Sequence, residues 1–293
     1  MARSSLTNYK ASQKRKSTKR LKDNSYPRDL VIVAEGDSWF DYPARKDVLD
    51  FLIADGYAIK RFSRYGDTLD NMVYGSKYGK NKRTGKITHE GPVSLQEVHN
   101  AVKKYDPKFF LLSAGGNDIV GEEIISYLNH KNSKPKHLLN KAIFTERLRQ
   151  MSIAIEFYIK GIHRKNKNCH ILMDGYAYPK VSGKPYRFAG IKIKGPWIEK
   201  SMAEKAILVK KYQNEIVKEL VDGFNDMLAE LSDKYSYFHH IDIRDKFPDD
   251  ADWHNEIHLN KKAYRQLATY YSDHMTEILK YDPVEKHDHV LMA

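Results

Sequence analysis

The alternation of strand and helix patterns along this chain restricts the folds open to it more than any other feature. Five short apolar runs have the composition of buried strands, and segments with apolar residues at helical spacing lie between them. Such alternation is typical of a parallel sheet with helices on both faces. The sequence therefore predicts an α/β fold, a three-layer α/β/α sandwich around a mostly parallel five-stranded sheet. The predicted strands span residues 30–35, 57–61, 108–113, 169–173 and 236–242.

Helical spacing and breaks in it divide the rest of the chain. Residues 75–91 are rich in Gly and Lys, which predicts a mobile surface loop. Residues 174–197 have no period and many Gly, Pro and Tyr, and a loop of this length is typical of a lid or a binding wall. The predicted helices span residues 44–55, 93–105, 143–165, 198–234 and 260–280, and another begins at Asp67 or Thr68.

Positive charge is concentrated at the N-terminus. The chain of 293 residues has a formal net charge of +12, and residues 1–30 hold nine Lys or Arg against two Asp, a net +7. Few apolar residues accompany this charge, which predicts a disordered tail over residues 1–28. Such a tail is suited to contact nucleic acid or an anionic membrane, although it is more often simply solvated.

The remaining composition indicates a folded protein with one core. The 41% hydrophobic and 30% charged residues are typical of a globular domain, and no interior linker or repeat divides the chain. We predict one domain over residues 29–281 and a C-terminal tail over 282–293. No run approaches the roughly 20 apolar residues of a membrane span, and no apolar N-terminal segment marks secretion. The single Cys169 has no disulfide partner within the chain, and these features together predict a cytoplasmic location.

The first strand pattern ends in a Gly-Asp-Ser turn. Residues 31–36 read Val-Ile-Val-Ala-Glu-Gly, and Asp37, Ser38 and Trp39 follow. Because glycine permits a sharp turn, Ser38 would stand where the carboxyl end of the sheet opens into a crevice. That position suits a nucleophile. The alternative is an ordinary loop in which Asp37 and Ser38 bond nearby backbone groups.

Polar residues follow three other predicted strands. Gly66 lies in the turn after the second strand, Asn117 lies in an Ala-Gly-Gly-Asn-Asp segment after the third, and residues 249–260 after the last are rich in Asp and His. Because the carboxyl ends of parallel strands meet at one edge of a sheet, these groups are expected to converge with Ser38. Otherwise Gly66 and Asn117 only form turns, and His258 only bonds backbone at a helix entry.

These four segments resemble, in the same order, the sequence blocks of the SGNH hydrolases, also called GDSL esterases and lipases. The resemblance runs from about residue 30 to residue 280, with Trp39 where leucine often stands and Leu259 where proline is common. It implies a flavodoxin-like SGNH fold and hydrolysis of a carboxylic ester. The matching blocks are Gly36-Asp37-Ser38, Gly66, Gly115-Gly116-Asn117-Asp118 and His258.

The chemistry of these residues agrees with the resemblance. A serine hydroxyl is a weak nucleophile that needs a neighbouring base, and His258 is the candidate. The tetrahedral intermediate carries an oxyanion. As the resemblance implies, its donors would be the backbone N–H groups of Ser38 and Gly66 and the side-chain amide of Asn117. The expected substrate is a small-molecule, lipid or sugar acyl ester, and the reaction needs no cofactor.

The acid of the triad is where the sequence departs from the family. In SGNH hydrolases it usually stands three residues before the histidine, and here that position is Asn255. An asparagine carbonyl can fix the imidazole tautomer but brings no charge. We therefore predict Asp252, which would reach back if the loop turns, as the catalytic acid. The alternatives are Glu256 and a Ser–His dyad supported by Asn255.

Other functions remain possible on the same scaffold. An acyltransferase or deacetylase would use the same nucleophile, and a flavodoxin-like binding protein would hold phosphate at the Ser38 and Gly66 turns. A zinc site formed by His254, His258 and Asp252 is disfavoured because a further ligand is lacking, so no metal is predicted. A third possibility is an interaction protein that works through its basic tail.

Overall fold

Strands and helices alternate along the chain, and the computed structural model describes them over residues 2–43, 45–76, 78–89, 93–188 and 190–281. The strands in chain order are β1 (Val31–Gly36), β2 (Ala58–Arg61), β3 (Tyr78–Lys80), β4 (Ile87–His89), β5 (Phe109–Ser113), β6 (His170–Asp174), β7 (Tyr186–Phe188), β8 (Ile191–Lys194) and β9 (Phe238–Ile241). The α-helices are α1 (Ala2–Leu21), α2 (Val48–Ala54), α3 (Leu69–Tyr74), α4 (Val93–Tyr105), α5 (Gly116–Val120), α6 (Lys141–Lys165), α7 (Ile198–Glu204), α8 (Lys210–Lys234) and α9 (Lys261–Tyr281).

Five of the strands form one sheet in the order β2–β1–β5–β6–β9, and every pairing in it is parallel. All residues of β1 and β5 are buried, and the register sets Val33 opposite Phe110. Burial on both faces explains why these strands are continuous apolar runs in the sequence. The predicted α/β class and the five-stranded parallel sheet are confirmed.

The helices form two packed groups around this sheet. One group holds α2 against α9, and the other holds α6 against α3, α4 and α8. The face of α6 that spacing predicts is buried, with Met151, Ile155, Ile159 and Ile162 all inaccessible to solvent. Among the helices of the described ranges, none has the length and apolar character needed to cross a bilayer.

Three segments differ from the sequence predictions because their structure depends on backbone bonding more than on apolar periodicity. The predicted loop 75–91 contains the antiparallel hairpin β3–β4, whose residues are largely exposed, and the loop 174–197 contains the hairpin β7–β8. The predicted helix 198–234 is two helices, α7 and α8. Ala206 between them has a left-handed backbone (φ 59°), which no α-helix continues through.

The basic N-terminal segment is a docked helix in the structure, whereas a disordered tail over residues 1–28 is predicted. Helix α1 packs on β2 and α2. It is held by polar contacts: Ser17 Oγ donates to the Ile59 carbonyl and accepts from the Ile59 amide, both at 2.7 Å. Arg20 donates to the Ile53 carbonyl at 2.7 Å. Hydrophobic periodicity cannot reveal a helix that docks through hydrogen bonds. The predicted C-terminal tail, 282–293, lies outside the described residues.

Replacing Ser17 with alanine is expected to lower the free energy of unfolding by about 1–3 kcal/mol. The alanine would leave the buried amide and carbonyl of Ile59 without a partner on the edge of the sheet. Chemical denaturation measures the change. Thr18→Ala is the matched control, because the Thr18 hydroxyl is exposed and bonds only the Lys14 carbonyl within α1. Equal stability of the two variants would contradict the docking of α1 through Ser17.

Candidate active site

The turn after β1 presents Ser38 at the carboxyl end of the sheet. A Cβ atom at Gly36 would lie 2.9 Å from the Ser113 carbonyl oxygen, so only glycine fits there. The Asp37 amide donates to that same carbonyl at 2.9 Å. The Asp37 carboxylate accepts from the Trp39 amide at 2.9 Å and from the Tyr176 hydroxyl. Burial raises the pKa of Asp37 to about 7. Its contacts fix the turn that carries Ser38.

His258 lies against Ser38. Its Nε2 atom is 2.8 Å from the Ser38 Oγ, a hydrogen-bond distance, and both side chains are buried. The residues next to them are joined as well, because the Trp39 indole N–H donates to the Ile257 carbonyl at 3.0 Å. This second bond links the turn after β1 to the loop before α9, although 220 positions separate Ser38 and His258 in the chain.

The other imidazole nitrogen of His258 faces Asn255. The Asn255 Oδ1 is 3.0 Å from His258 Nδ1 and also accepts from the backbone amides of Ile257 (3.1 Å) and His258 (3.0 Å). Two backbone donors identify the accepting atom as oxygen, so Nδ1 must carry the ring hydrogen. The unprotonated nitrogen is then Nε2, which is free to accept the proton of the Ser38 hydroxyl.

The predicted acid Asp252 does not reach His258 in the structure. Asp252 ends a 3₁₀ turn (Asp250–Asp252), and the antiparallel bridge between Trp253 and Leu259 separates it from the loop that holds the imidazole. That loop is closed by the His254 amide donating to the His258 carbonyl at 2.8 Å. In such a tight turn, the side chain that reaches the imidazole is the one three positions before the histidine, Asn255. The side chain six positions before it, Asp252, does not reach the ring. The side chain in contact with His258 Nδ1 is therefore that of Asn255 and not that of the predicted Asp252.

Glu256 points away from the imidazole and into the segment between β6 and α7. Its buried carboxylate accepts from the amides of Gly183 (3.1 Å), Ile198 (2.9 Å) and Glu199 (3.0 Å), and also from that of Trp197. Glu256 therefore anchors a wall of the site. Within the described residues, the ring nitrogens of His258 bond Asn255 and Ser38 and no carboxylate.

Tyr42 completes the surroundings of the imidazole. Its ring stacks on that of His258, with centroids 4.4 Å apart and planes at 14°. The Tyr42 hydroxyl is 2.5 Å from His254 Nδ1 and accepts from the Asn255 side-chain amide at 3.3 Å. Burial lowers the pKa of His258 to about 3, and the nearby His254 acts in the same direction. The imidazole is therefore neutral at physiological pH and able to act as a base.

Gly66 and Asn117 lie at the same cavity as Ser38 and His258. Gly66 has a left-handed backbone (φ 74°), as its turn position requires. One N–H of the Asn117 amide donates to the Asp67 carbonyl at 2.8 Å, which fixes the amide and leaves its second N–H available. The Leu69 amide donates to Asp118 at 3.0 Å and ties the two loops together. The structure thus brings together four of the predicted site residues.

Sequence reasoning missed Tyr42, Trp39 as a clamp, and Trp197, whose ring meets that of His258 edge-on at 5.7 Å. No periodicity or motif marks these aromatic residues. The only signal is proximity in sequence, since Trp39 and Tyr42 stand one and four positions after Ser38. His254 belongs to the site because its Nδ1 atom contacts the Tyr42 hydroxyl. In the described part of the chain, no group of three or more His, Cys, Asp or Glu side chains is arranged to hold a metal ion.

Solved structures similar to this one include three proteins named as lipases. The lipase Lip_vut3 from a goat rumen metagenome has a TM-score of 0.51 at 13% identity, over 83% of this chain and 96% of that one. An extracellular lipase from Streptomyces rimosus has a TM-score of 0.48 at 12% identity, over 83% of this chain and 98% of that one. A protein described as a GDSL-like lipase from Parabacteroides merdae has a TM-score of 0.48 at 11% identity, over 85% of this chain and 96% of that one. No protein-family model and no curated protein matches the chain.

The fold and the site together define an α/β protein with a buried serine and histidine in contact at the carboxyl edge of a parallel sheet. The fold is shared with Lip_vut3, and it is the α/β fold that the resemblance to the SGNH hydrolases predicts. At identities this low the likeness shows the fold alone.

Proposed function

We propose that this protein is a serine hydrolase that cleaves a carboxylic ester through an acyl-enzyme on Ser38. The observation that carries the proposal is the 2.8 Å contact between His258 Nε2 and Ser38 Oγ, with the opposite ring nitrogen directed at the Asn255 oxygen. A neutral imidazole in this tautomer is the base that a serine nucleophile needs. Lip_vut3, with the same fold, is by its name a lipase, and an ester substrate agrees with that.

In the first half-reaction, His258 takes the hydroxyl proton as Ser38 attacks the ester carbonyl. The resulting oxyanion would accept hydrogen bonds from the Ser38 and Gly66 amides and from the second N–H of Asn117. Donors fixed in this way stabilise the charge without reorganising, and each is worth about 10²–10³ in turnover. His258 then gives the proton to the departing alcohol. In the second half, His258 takes a proton from water as the water attacks the acyl group, and it returns that proton to the Ser38 oxygen as the bond to the acyl group breaks and the acid leaves.

The neutral partner of His258 sets a limit on this mechanism. When His258 is protonated in the transition state, an Asp would stabilise it by charge, whereas Asn255 offers only the dipole of its carbonyl. The Asn255 oxygen nevertheless fixes the tautomer, since two backbone amides hold it in place. We therefore propose a Ser–His dyad positioned by Asn255. The sequence offers this arrangement as an alternative to a triad with Asp252.

A fluorophosphonate probe is expected to label the protein at one residue, Ser38, because only an activated serine attacks phosphorus readily. Mass spectrometry of the labelled peptide would locate the adduct. Ser63→Ala is the matched control, because Ser63 lines the same cavity while its hydroxyl is bonded to the Phe40 carbonyl at 3.1 Å. Labelling that survives Ser38→Ala, or that is absent from the folded wild-type protein, would refute the proposed nucleophile.

A further inference from the structure

The cavity that contains Ser38 has a strongly positive lining. Seven Lys or Arg side chains border it, and Asp41 is the one acid among its described lining residues. Three of these cations have carboxylate partners: Lys10 and Arg61 pair with Asp47, and Lys194 pairs with Glu122. Among the described residues, the other four have none. The unpaired cations are Lys14, Arg45, Lys60 and Arg187.

Different parts of the fold supply these unpaired charges. Lys14 comes from α1, Arg45 from the segment before α2, Lys60 from β2 and Arg187 from β7. Helix α1 is fixed at this wall by the Ser17 contacts with Ile59 and by Lys10, which donates to the Tyr42 carbonyl at 2.9 Å. Two lysines of the basic N-terminal segment, Lys10 and Lys14, therefore border the cavity that contains Ser38.

One of the cations, Arg45, acts electrostatically on side chains that surround His258. Burial, and after it the charge of Arg45, lower the pKa of His254 to about 4. Burial raises the pKa of Tyr42 and Tyr186, and the charge of Arg45 opposes that rise in both. Tyr42 stacks on His258, so the charge of Arg45 acts on a side chain that contacts the proposed base. A negative group on a substrate would meet this charge near the reacting bond.

The cavity is also larger than a simple ester requires. Its volume is about 1390 Å³, whereas sites for drug-sized ligands are commonly about 300–1,000 Å³. Apolar side chains such as Ile193 and Ile257 line it together with the cations. Cationic clefts of this kind concentrate anionic ligands and raise their association rates.

We infer that the substrate is an anionic acyl ester, one that carries a carboxylate or phosphate group outside the bond that is cleaved. This inference rests on the proposed function, since it names the substrate class of the same site. The unpaired cations bind the negative group while Ser38 attacks the carbonyl. Both carboxylate and phosphate suit the guanidinium groups of Arg45 and Arg187, which bind either in a bidentate manner.

The kinetic test compares two esters of equal chain length, mono(4-nitrophenyl) glutarate and the neutral 4-nitrophenyl pentanoate. The ratio of kcat/KM for the anionic ester to that for the neutral one is the readout. The variant Lys14→Gln/Arg45→Gln/Arg187→Gln is expected to lower this ratio by about ten-fold, as is raised salt. The control Lys103→Gln/Arg164→Gln/Lys262→Gln removes the same formal charge from exposed positions outside the cavity and should preserve the ratio. Equal ratios in all three proteins would overturn the inference.

A binding test separates this inference from the proposed function. Glutarate and inorganic phosphate are titrated separately into Ser38→Ala protein, with and without the three cavity substitutions. Saturable binding that weakens about ten-fold in the combined variant supports an anion site, and the preferred ion identifies its source. If neither nitrophenyl ester is hydrolysed but an anion binds in this way, the hydrolase proposal fails and the anion site stands. If the neutral ester is hydrolysed and neither anion binds, the function stands and the anionic substrate is refuted.

Discussion

Replacing Ser38 or His258 with alanine should each lower kcat for ester hydrolysis by about 10⁴–10⁶, and the double variant should be little worse than either one. The reason is geometric. The two side chains share one hydrogen bond of 2.8 Å. Because the proton passes between them, neither side chain can take part in proton transfer once the other is removed. Residual activity would come from the oxyanion donors alone. Turnover of a 4-nitrophenyl ester, measured over days for the variants, gives these ratios.

Two substitutions with similar chemistry serve as controls for this experiment. Ser63→Ala removes a hydroxyl from the same cavity, and His274→Ala removes an exposed imidazole from α9. Both should retain activity within about two-fold, as expected for side chains away from reacting atoms. Losses that add in the Ser38 and His258 double variant would mean that the two residues act in separate steps, contrary to the proposed dyad.

The central sheet could be predicted because its strands are buried on both faces. Such strands are mostly apolar, as β5 is with Phe-Phe-Leu-Leu before Ser113. The convergence of Ser38, Gly66, Asn117 and His258 also followed from the sequence, since parallel strands deliver their carboxyl ends to one edge. These four residues line one cavity, and predicting that they meet there requires no knowledge of side-chain packing.

The partner of His258 could not be predicted in this way. The choice between Asn255 and Asp252 depends on how a loop of a few residues closes, and the chemistry of the side chains favours the charged one. The structure favours Asn255 because the amides of Ile257 and His258 both donate to its oxygen. Local backbone bonding of this kind leaves no periodic trace in a sequence.

Helix α1 was missed for a related reason. Its docking face carries Gln13 and Ser17, which are buried although they are polar. A method that reads burial from apolar spacing assigns such a segment to solvent. The consequence reaches function, because this helix brings Lys14 to the cavity that holds Ser38.

Asn255→Asp should raise kcat/KM by about ten-fold at neutral pH. The carboxylate keeps the three hydrogen bonds that the Asn255 oxygen accepts and adds charge opposite the imidazolium that forms in the transition state. A charge-assisted hydrogen bond exceeds a neutral one by about 1–1.5 kcal/mol, which corresponds to about one decade in rate. Asn255→Leu, which accepts no hydrogen bond, should instead lose up to about 10⁴. Steady-state kinetics on one nitrophenyl ester measures both changes.

The pH profile gives the same substitution a second and independent readout. His258 works as a base only while neutral, and burial without a carboxylate lowers its pKa to about 3. The wild-type kcat/KM should therefore show no loss from His258 protonation between about pH 5 and 8. In Asn255→Asp the new charge favours the imidazolium and raises the pKa of His258, so the acidic limb of the profile moves to higher pH. Asp252→Asn, the control at the other candidate acid, should leave both rate and profile unchanged. A shift in the profile on Asp252→Asn, with none on Asn255→Asp, would restore Asp252 as the catalytic acid, because only the group bonded to Nδ1 sets the proton affinity of Nε2.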